Sequence, residues 1–246
     1  MKKILFTLLT LGTIIFTASC DNPKTKDSTQ LSTSQRIQQI DTISYVDSLN
    51  EDVEISYPQV VLENKEKQEL LNTLLKDKAF SLLNEYAGYG DFKVAYMQVD
   101  SEITFENDRI VSVCYRSDSF VEKTAHPNAM LMSNNIELDS LNEIALEDII
   151  LIDDYFIDVL IRNADLELRS KGIDMSVVYS RDQVVDLFHD EWNSVIYYLT
   201  PDRLCVGLMV PHVLGDWLRI EIPYNEISDN INENYKEYLT GTTLSE

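Results

Sequence analysis

The chain has 246 residues, of which 42 are Asp or Glu and 20 are Lys or Arg, so its formal net charge is −22. Hydrophobic residues make up 44% of it, against only 7 Gly and 6 Pro, which excludes collagen-like, low-complexity and wholly disordered chains. A charge this negative repels phosphate backbones, so nucleic-acid binding is excluded as a main function. Cationic partners are favoured instead.

The N-terminus has the pattern of an export signal. A basic start, Met1–Lys3, precedes thirteen mostly apolar residues, Ile4–Phe16, and three small residues then lead to Cys20, as in a secretory signal peptide. A membrane span needs about 20 apolar residues. The cysteine after Ala-Ser resembles a bacterial lipobox, although Thr17 stands where Leu is usual. The sequence therefore predicts a signal peptide over residues 1–19 and lipidation of Cys20, with ordinary signal cleavage as the alternative.

The exported part is predicted to begin with a tether. Residues 1–19 contain two lysines and no acid, so the mature chain carries a net charge of −24. Residues 20–50 are rich in small polar and charged residues, which bury too little area to offset the ordering entropy. Weak apolar spacing at Ile43, Val46 and Leu49 leaves open whether this part docks on the domain. We expect a protein held to the bacterial cell envelope by its lipid, on the periplasmic or outer face.

Hydrophobic periodicity predicts an α+β domain after the tether. Eight strands are expected, with the first one ending at Pro58 and a tight hairpin turn at Asn107-Asp108. The predicted strands cover 53–57, 92–99, 101–106, 109–120, 130–138, 195–199, 204–210 and 218–222. The predicted helices cover 64–86, 155–168, 181–191 and 225–238.

These elements favour antiparallel sheets with a long N-terminal helix and a C-terminal helix packed on them. Residues 51–150 and 151–246 are predicted as two α+β halves, which form one unit or two closely packed subdomains. Cys114 and Cys205 each lie within a strand pattern. Export allows a disulfide between them, and two separate buried thiols are the alternative.

Several short motifs in this order resemble the extracytoplasmic domain of the lysozyme-sensing anti-sigma-V factors, which also precedes some peptidoglycan deacetylase domains. The motifs span residues 55–230. They are Tyr57-Pro58, Ala125-His126-Pro127, Leu138-Asp139, Leu146-Glu147-Asp148, Tyr198-Leu199-Thr200, and Gly215 followed by Ile222-Pro223-Tyr224 and Glu226. The resemblance implies a binding domain and makes His126, Pro127, Gly215, Pro223 and Tyr224 candidate site residues. The loop 211–215 is shorter than in these relatives and lacks their tyrosines.

Motifs for catalysis, metals and cofactors are missing from the sequence. His126, His189 and His212 are the only histidines, and no HExxH, CxxC, GxSxG, GxGxxG or P-loop occurs. We therefore expect no metal, no cofactor and no enzymatic activity.

Two partner classes follow from these observations. The leading hypothesis is a non-catalytic lipoprotein whose acidic domain recognises a cationic protein such as a lysozyme, since opposite charge steers association. Acidic helix faces, 153–167 and 226–237, are candidate recruiting surfaces. The alternative is a module that binds peptidoglycan through exposed aromatic residues, with Tyr86, Tyr89, Trp192, Tyr197 and Trp217 as candidates. An uncharacterised hydrolase is the third hypothesis.

Overall fold

The computed structural model describes residues 39–46, 52–88, 94–189 and 195–241. The predicted signal peptide, Cys20 and most of the predicted tether lie outside the described residues. All described residues belong to one compact unit, Ser34–Glu246, and the predicted subdomain boundary near residue 150 remains a prediction. Within the described part, no helix is both long and apolar enough to cross a membrane.

The predicted α+β class is confirmed, with two sheets and several helices. A five-stranded sheet has its strands in the order β1-β2-β3-β4-β5, and a three-stranded sheet has the order β6-β7-β8. The strands are β1 (Gln39–Val46), β2 (Val53–Val61), β3 (Val94–Glu106), β4 (Ile110–Val121), β5 (Asn128–Glu137), β6 (Val195–Leu199), β7 (Arg203–Met209) and β8 (Trp217–Pro223). The helices are α1 (Lys65–Gly88), α2 (Leu146–Ile149), α3 (Asp154–Ser170), α4 (Met175–Val178), α5 (Arg181–Leu187) and α6 (Glu233–Thr240).

The first sheet is mixed, which corrects the prediction of antiparallel sheets. Val53–Ile55 of β2 pairs in parallel with Met97–Val99 of β3, whereas the other strand pairings among the described residues are antiparallel. The reason is the helix α1 between these two strands. A strand–helix–strand crossover returns the chain in its original direction, so the second strand runs parallel to the first.

The first sheet also extends further along the chain than the sequence predicts. Gln39–Val46, assigned above to the tether, forms β1 and pairs with β2 over its whole length. Strand β2 continues through Pro58, which lies opposite Thr42. Val53, Ile55, Tyr57 and Pro58 are buried, and so is Val60 after the proline.

Helix α1 begins at a capping residue and buries a narrow apolar face. The side chain of Asn64 accepts a hydrogen bond from the backbone N–H of Lys67 (3.0 Å), which satisfies one free donor of the first turn. The buried residues of the helix recur at intervals of three and four and share a core with the first sheet; they are Leu71, Leu75, Ala79 and Leu82. Leu70 and Leu74, also in the apolar pattern, are 54% and 39% exposed.

The two sheets face each other through a small apolar cluster. Cys114 of β4 and Leu131 of β5 pack there with Tyr198 of β6 and Cys205 of β7. The opposite face of the three-stranded sheet shares a larger core with α3. Phe105 at the end of β3 also belongs to this larger core, so its residues come from both halves of the chain.

The predicted hairpin turn between β3 and β4 is confirmed. Its first residue, Asn107, accepts hydrogen bonds through Oδ1 from the backbone N–H groups of Arg109 (2.9 Å) and Ile110 (2.7 Å). A side chain that accepts hydrogen bonds from the backbone at this position stabilises a tight turn.

The predicted helix over 225–238 is wrong in its first half. A 3-10 turn covers Tyr224–Glu226, and α6 begins only at Glu233, after the capping residue Asn232. Between them, the buried Asn230 donates to the Leu151 carbonyl and to Asp153 Oδ1 (both 2.8 Å). These long-range bonds compete with the helical ones and hold the segment in a non-helical conformation.

Candidate functional site

A groove runs beside β8, the last strand of the three-stranded sheet. Its volume is about 730 Å³, within the range of small-molecule and peptide sites. We call it the edge groove. Four alternate residues of β8 line it together with residues of α3 and of the first sheet; the principal ones are Arg116, Leu131, Asn163, Leu166, Lys171, Arg203, Trp217, Arg219, Glu221 and Pro223.

The register of the second sheet determines which backbone groups of β8 face the groove. The N–H of Val210 donates to the Asp216 carbonyl (2.8 Å), and the N–H of Tyr224 donates to the Asp202 carbonyl (3.2 Å). Even-numbered residues of β8 therefore form the hydrogen-bonded pairs with β7. Because these pairs alternate along an antiparallel ladder, the N–H and C=O groups of Arg219 and Glu221 point away from β7, to the open edge.

The other edge of this sheet, at β6, is covered by side chains of the first sheet. Asn135 Nδ2 donates to the outward carbonyl of Tyr197 (2.9 Å), and the outward N–H of Leu199 donates to Ser112 Oγ (2.9 Å). Ser112 Oγ in turn donates to Asn135 Oδ1 (2.7 Å). Capping an edge in this way blocks further strand pairing. Within the described part of the chain, β8 is the edge of this sheet that stays open.

Cations line the edge groove, and most of them are paired with carboxylates. Four of the chain's 20 Lys and Arg residues line it, together with two glutamates. Arg116 pairs with Glu102 (2.9 Å), Arg203 pairs with Glu221 (2.7 Å), and Lys171 pairs with Glu167 (3.1 Å). Among the described residues, no side chain forms an ion pair or a hydrogen bond with the guanidinium of Arg219.

Two stacked histidines lie next to the start of β8. The rings of His126 and His212 lie nearly parallel, with centroids 3.7 Å apart. His212 Nδ1 donates to Asp216 Oδ1 (2.9 Å), and Asp216 Oδ2 accepts from the backbone N–H of Ala129 (2.9 Å). Gly215 has a φ of 97°, which glycine adopts without strain. These contacts join the loop before β5 to the loop before β8.

The predicted site residues lie near the two ends of β8 and make different contacts. Gly215 and Pro223 line the edge groove at the two ends of β8. His126 donates through Nδ1 to the carbonyl of Pro127 (2.9 Å) and stacks on His212 outside the groove. Tyr224 is buried, and its hydroxyl donates to the Thr200 carbonyl (3.0 Å). Burial raises the pKa of the Tyr224 hydroxyl.

A second groove of about 870 Å³ adjoins the edge groove. The two share Met130, Leu131 and Trp217, and the second is lined mainly by apolar side chains. Of the aromatic residues predicted to bind glycans, Trp217 lines both grooves. Tyr197 lines the second groove but is buried, with its hydroxyl bonded to the Ile144 carbonyl. Tyr89 and Trp192 lie outside the described residues.

The three arginines of the edge groove were not predicted as site residues from the sequence. The alternation of apolar and polar residues along β8 indicates that the side chains of Arg219 and Glu221 face away from the core. Arg116 and Arg203 lie far apart along the chain, and no one-dimensional pattern relates them to Arg219. No group of three or more His, Cys, Asp or Glu side chains within the described ranges could hold a metal ion.

Cys114 and Cys205 are both free thiols, 1% exposed, in the cluster between the sheets. Burial raises the pKa of the Cys205 thiol to about 11 and also raises the pKa of Cys114. Because the thiolate is the reactive species, we expect the folded chain to react with a disulfide reagent at pH 8 about a hundredfold more slowly than a free cysteine. In denaturant, two thiols per exported chain should react at once. A count of zero thiols in denaturant would instead reveal a disulfide.

No family model and no curated protein matches the chain in sequence. Two solved bacterial structures share its fold. One is a DUF3298-family member from Bacteroides fragilis NCTC 9343, 14% identical, with a TM-score of 0.53 over 85% of this chain and 99% of that chain. The other is a DUF3298-family protein from Pseudomonas aeruginosa PAO1, 11% identical, with a TM-score of 0.55 over 82% of this chain and 97% of that chain. At these identities the likeness concerns the fold alone: the chain has a DUF3298-like fold.

Proposed function

We propose that this chain is a non-catalytic binding domain of the bacterial cell envelope, anchored by a lipid on Cys20, and that its acidic surface recognises a cationic protein such as a lysozyme. The proposal combines the lipobox-like signal, the resemblance to the anti-sigma-V extracytoplasmic domain and the charge of the folded part. The DUF3298-like fold is compatible with it and does not specify a ligand.

The observation that carries the proposal is the placement of charge. The buried polar residues of the described part are uncharged, namely Ser112, Ser117, Ser119, Ser133, Asn134, Asn135 and Asn230. The acidic excess therefore lies on the surface, where it produces a long-range field. Such a field accelerates encounters with a cationic partner by one to three orders of magnitude at low salt.

Several acids of the predicted recruiting face 153–167 are paired with cations. On α3, Asp154 and Asp158 pair with Arg181 (2.6 and 3.0 Å). Farther along the helix, Asp165 pairs with Arg169 (2.7 Å). These carboxylates are largely neutralised locally. In the described part, carboxylates without a cationic partner occur at Asp229 and Glu237 of the predicted face 226–237. They also occur at Glu106 and Asp108 of the β3–β4 hairpin and at Asp182 and Asp186 of α5.

Four carboxyl groups of the described part have lowered pKa values, and none of these four is suited to act as a general acid. In Asp153, Asp174, Asp202 and Glu226 the pKa is lowered, in each case by hydrogen bonds to the carboxylate. A general acid needs the opposite shift, toward neutral pH. These four carboxylates instead form helix caps and ion pairs.

Calorimetric titration of the exported chain, residues 21–246, with a basic lysozyme at two salt concentrations tests the proposal. We expect saturable one-to-one binding that weakens as salt rises but persists at physiological ionic strength. The matched control is the same lysozyme with its lysines acetylated, which should bind much more weakly. The proposal is wrong if binding is undetectable, or if only diffuse association at low salt is observed.

Binding to a cell-wall glycan is a second candidate, favoured by the position of Trp217. Its side chain is half-buried and lines both adjoining grooves, where an aromatic face can stack on a sugar ring. Retention of the chain on isolated peptidoglycan should then be insensitive to salt and lost in Trp217→Ala. An absence of retention at low and high salt would eliminate this candidate.

A further inference from the structure

We infer that the open edge of β8 is a docking site for an extended peptide that carries carboxylates. The peptide would pair with β8 as a fourth strand of the second sheet, inside the edge groove. This site is separate from the acidic surface proposed above, and it takes a ligand of opposite charge.

The part of β8 that can pair with an added strand is short and lies between Trp217 and Pro223. We call it the pairing window. The N–H of Trp217 already donates to the Gly215 carbonyl (2.8 Å), and Pro223 has no N–H. The free donors between them are the outward N–H groups of Arg219 and Glu221, two residues apart. A strand added to this edge would bond to both residues through its own backbone, as in β-augmentation, with a spacing of about 7 Å.

The contrast between the two edges of the sheet supports this assignment. At β6, the outward backbone groups are bonded to the buried side chains of Ser112 and Asn135. At β8, the outward groups face an open groove of about 730 Å³. An uncovered edge strand is a template for pairing with another chain.

The charge of the groove selects an acidic occupant. Three of its four cations already pair with carboxylates, Arg116 with Glu102, Arg203 with Glu221 and Asp202, and Lys171 with Glu167, so the positive charge available to a ligand is that of Arg219. Arg219, within the pairing window, lacks a carboxylate partner among the described residues. Its guanidinium can therefore pair with a carboxylate of the ligand. The acids elsewhere on the surface oppose binding weakly, because charges beyond about 8 Å are screened at physiological ionic strength.

The walls of the groove suit the side chains of an extended peptide. On α3, Leu166 is 62% exposed and lines the groove beside Asn163. On the first sheet, Leu131 and Arg116 form the opposite wall. Successive side chains of a strand point to opposite faces, so a peptide in which acidic and apolar residues alternate would place one kind against each wall.

Fluorescence anisotropy of a labelled hexapeptide of alternating Glu and Val, titrated with the exported chain, tests the inference. We expect saturable binding that Arg219→Ala weakens at least fivefold. Arg169→Ala is the matched control, because Arg169 belongs to the same region but not to the groove, and it should leave the affinity unchanged. Equal affinities for Arg219→Ala and the unaltered chain would overturn the assignment, as would the absence of peptide binding.

The backbone pairing has its own test. Glu221→Pro removes an outward N–H, and proline is tolerated where that side of an edge strand is unpaired. Glu221→Ala removes the same carboxylate and keeps the N–H. We expect Glu221→Pro to bind the peptide at least fivefold more weakly than Glu221→Ala, with both variants folded by circular dichroism. Equal binding of the two variants, or of a peptide N-methylated at alternate residues, would exclude strand addition.

Two further titrations separate the outcomes. An acidic polysaccharide, polygalacturonate, offers carboxylates without a peptide backbone, and stronger binding of it than of the peptide would overturn the inference. Lysozyme titration of Arg219→Ala reports on the proposed function alone. Arg219→Ala should bind lysozyme like the unaltered chain, so each proposal can fail without the other.

Discussion

Replacing Asn135 by leucine is expected to lower the free energy of unfolding by about 3 kcal/mol, because two buried polar groups lose their partners. Asn135 is 2% exposed, and its amide bonds to the Tyr197 carbonyl (2.9 Å) and the Ser112 hydroxyl (2.7 Å). Leucine has a similar volume but offers neither a donor nor an acceptor. The Tyr197 carbonyl would then be buried at the edge of β6 without this bond.

Urea unfolding of Asn135→Leu measures this effect, with the exposed Asn225→Leu as the control for the substitution itself. The control should change the unfolding free energy by less than about 0.5 kcal/mol. In a double-mutant cycle, Ser112→Ala combined with Asn135→Leu should cost less than the two single changes added together, since the residues share one hydrogen bond. Additive costs would show that the two side chains do not act as a unit.

Replacing Gly207 by valine is expected to destabilise the fold by about 2 to 3 kcal/mol through overpacking between the sheets. A Cβ atom at this position would lie 2.4 Å from Leu131 Cδ2 and 3.4 Å from Trp217 Cε3. Leu131 is 7% exposed and packs in the cluster between the sheets, so moving its side chain would disrupt that cluster. Either the leucine leaves its position or the sheets separate.

A series of variants distinguishes crowding from a general effect of losing glycine. Gly207→Ala should cost less than Gly207→Val, and adding Leu131→Ala to the valine variant should cost less than Leu131→Ala does alone, because valine partly fills the cavity. The measurement is urea unfolding at one pH. A neutral Gly207→Val would contradict the close approach of the two sheets at this point.

The local sequence pattern was sufficient to predict most of the strands and helices of the domain. The β3–β4 hairpin and strands β6–β8 follow from alternation and from turn residues such as Asn107, because these signals act over a few neighbouring residues. The parallel pairing of β2 with β3 was not predicted, although the predicted strand–helix–strand order favours it, because a crossover through a helix returns the chain in its original direction. The helix predicted over 225–238 failed because the bonds of Asn230 reach across 79 residues to Leu151.

The sequence by itself determined the acidic charge, the export signal pattern and the α+β class of this protein, because these depend on composition and local periodicity. The resemblance to the anti-sigma-V domain also marked Gly215, just before β8, and Pro223, at its end. Only the tertiary structure decided that β6 is covered while β8 stays open, and that Arg116 and Arg203 join Arg219 in one groove. Such features depend on strand order and register, which arise when residues distant in the chain pack together.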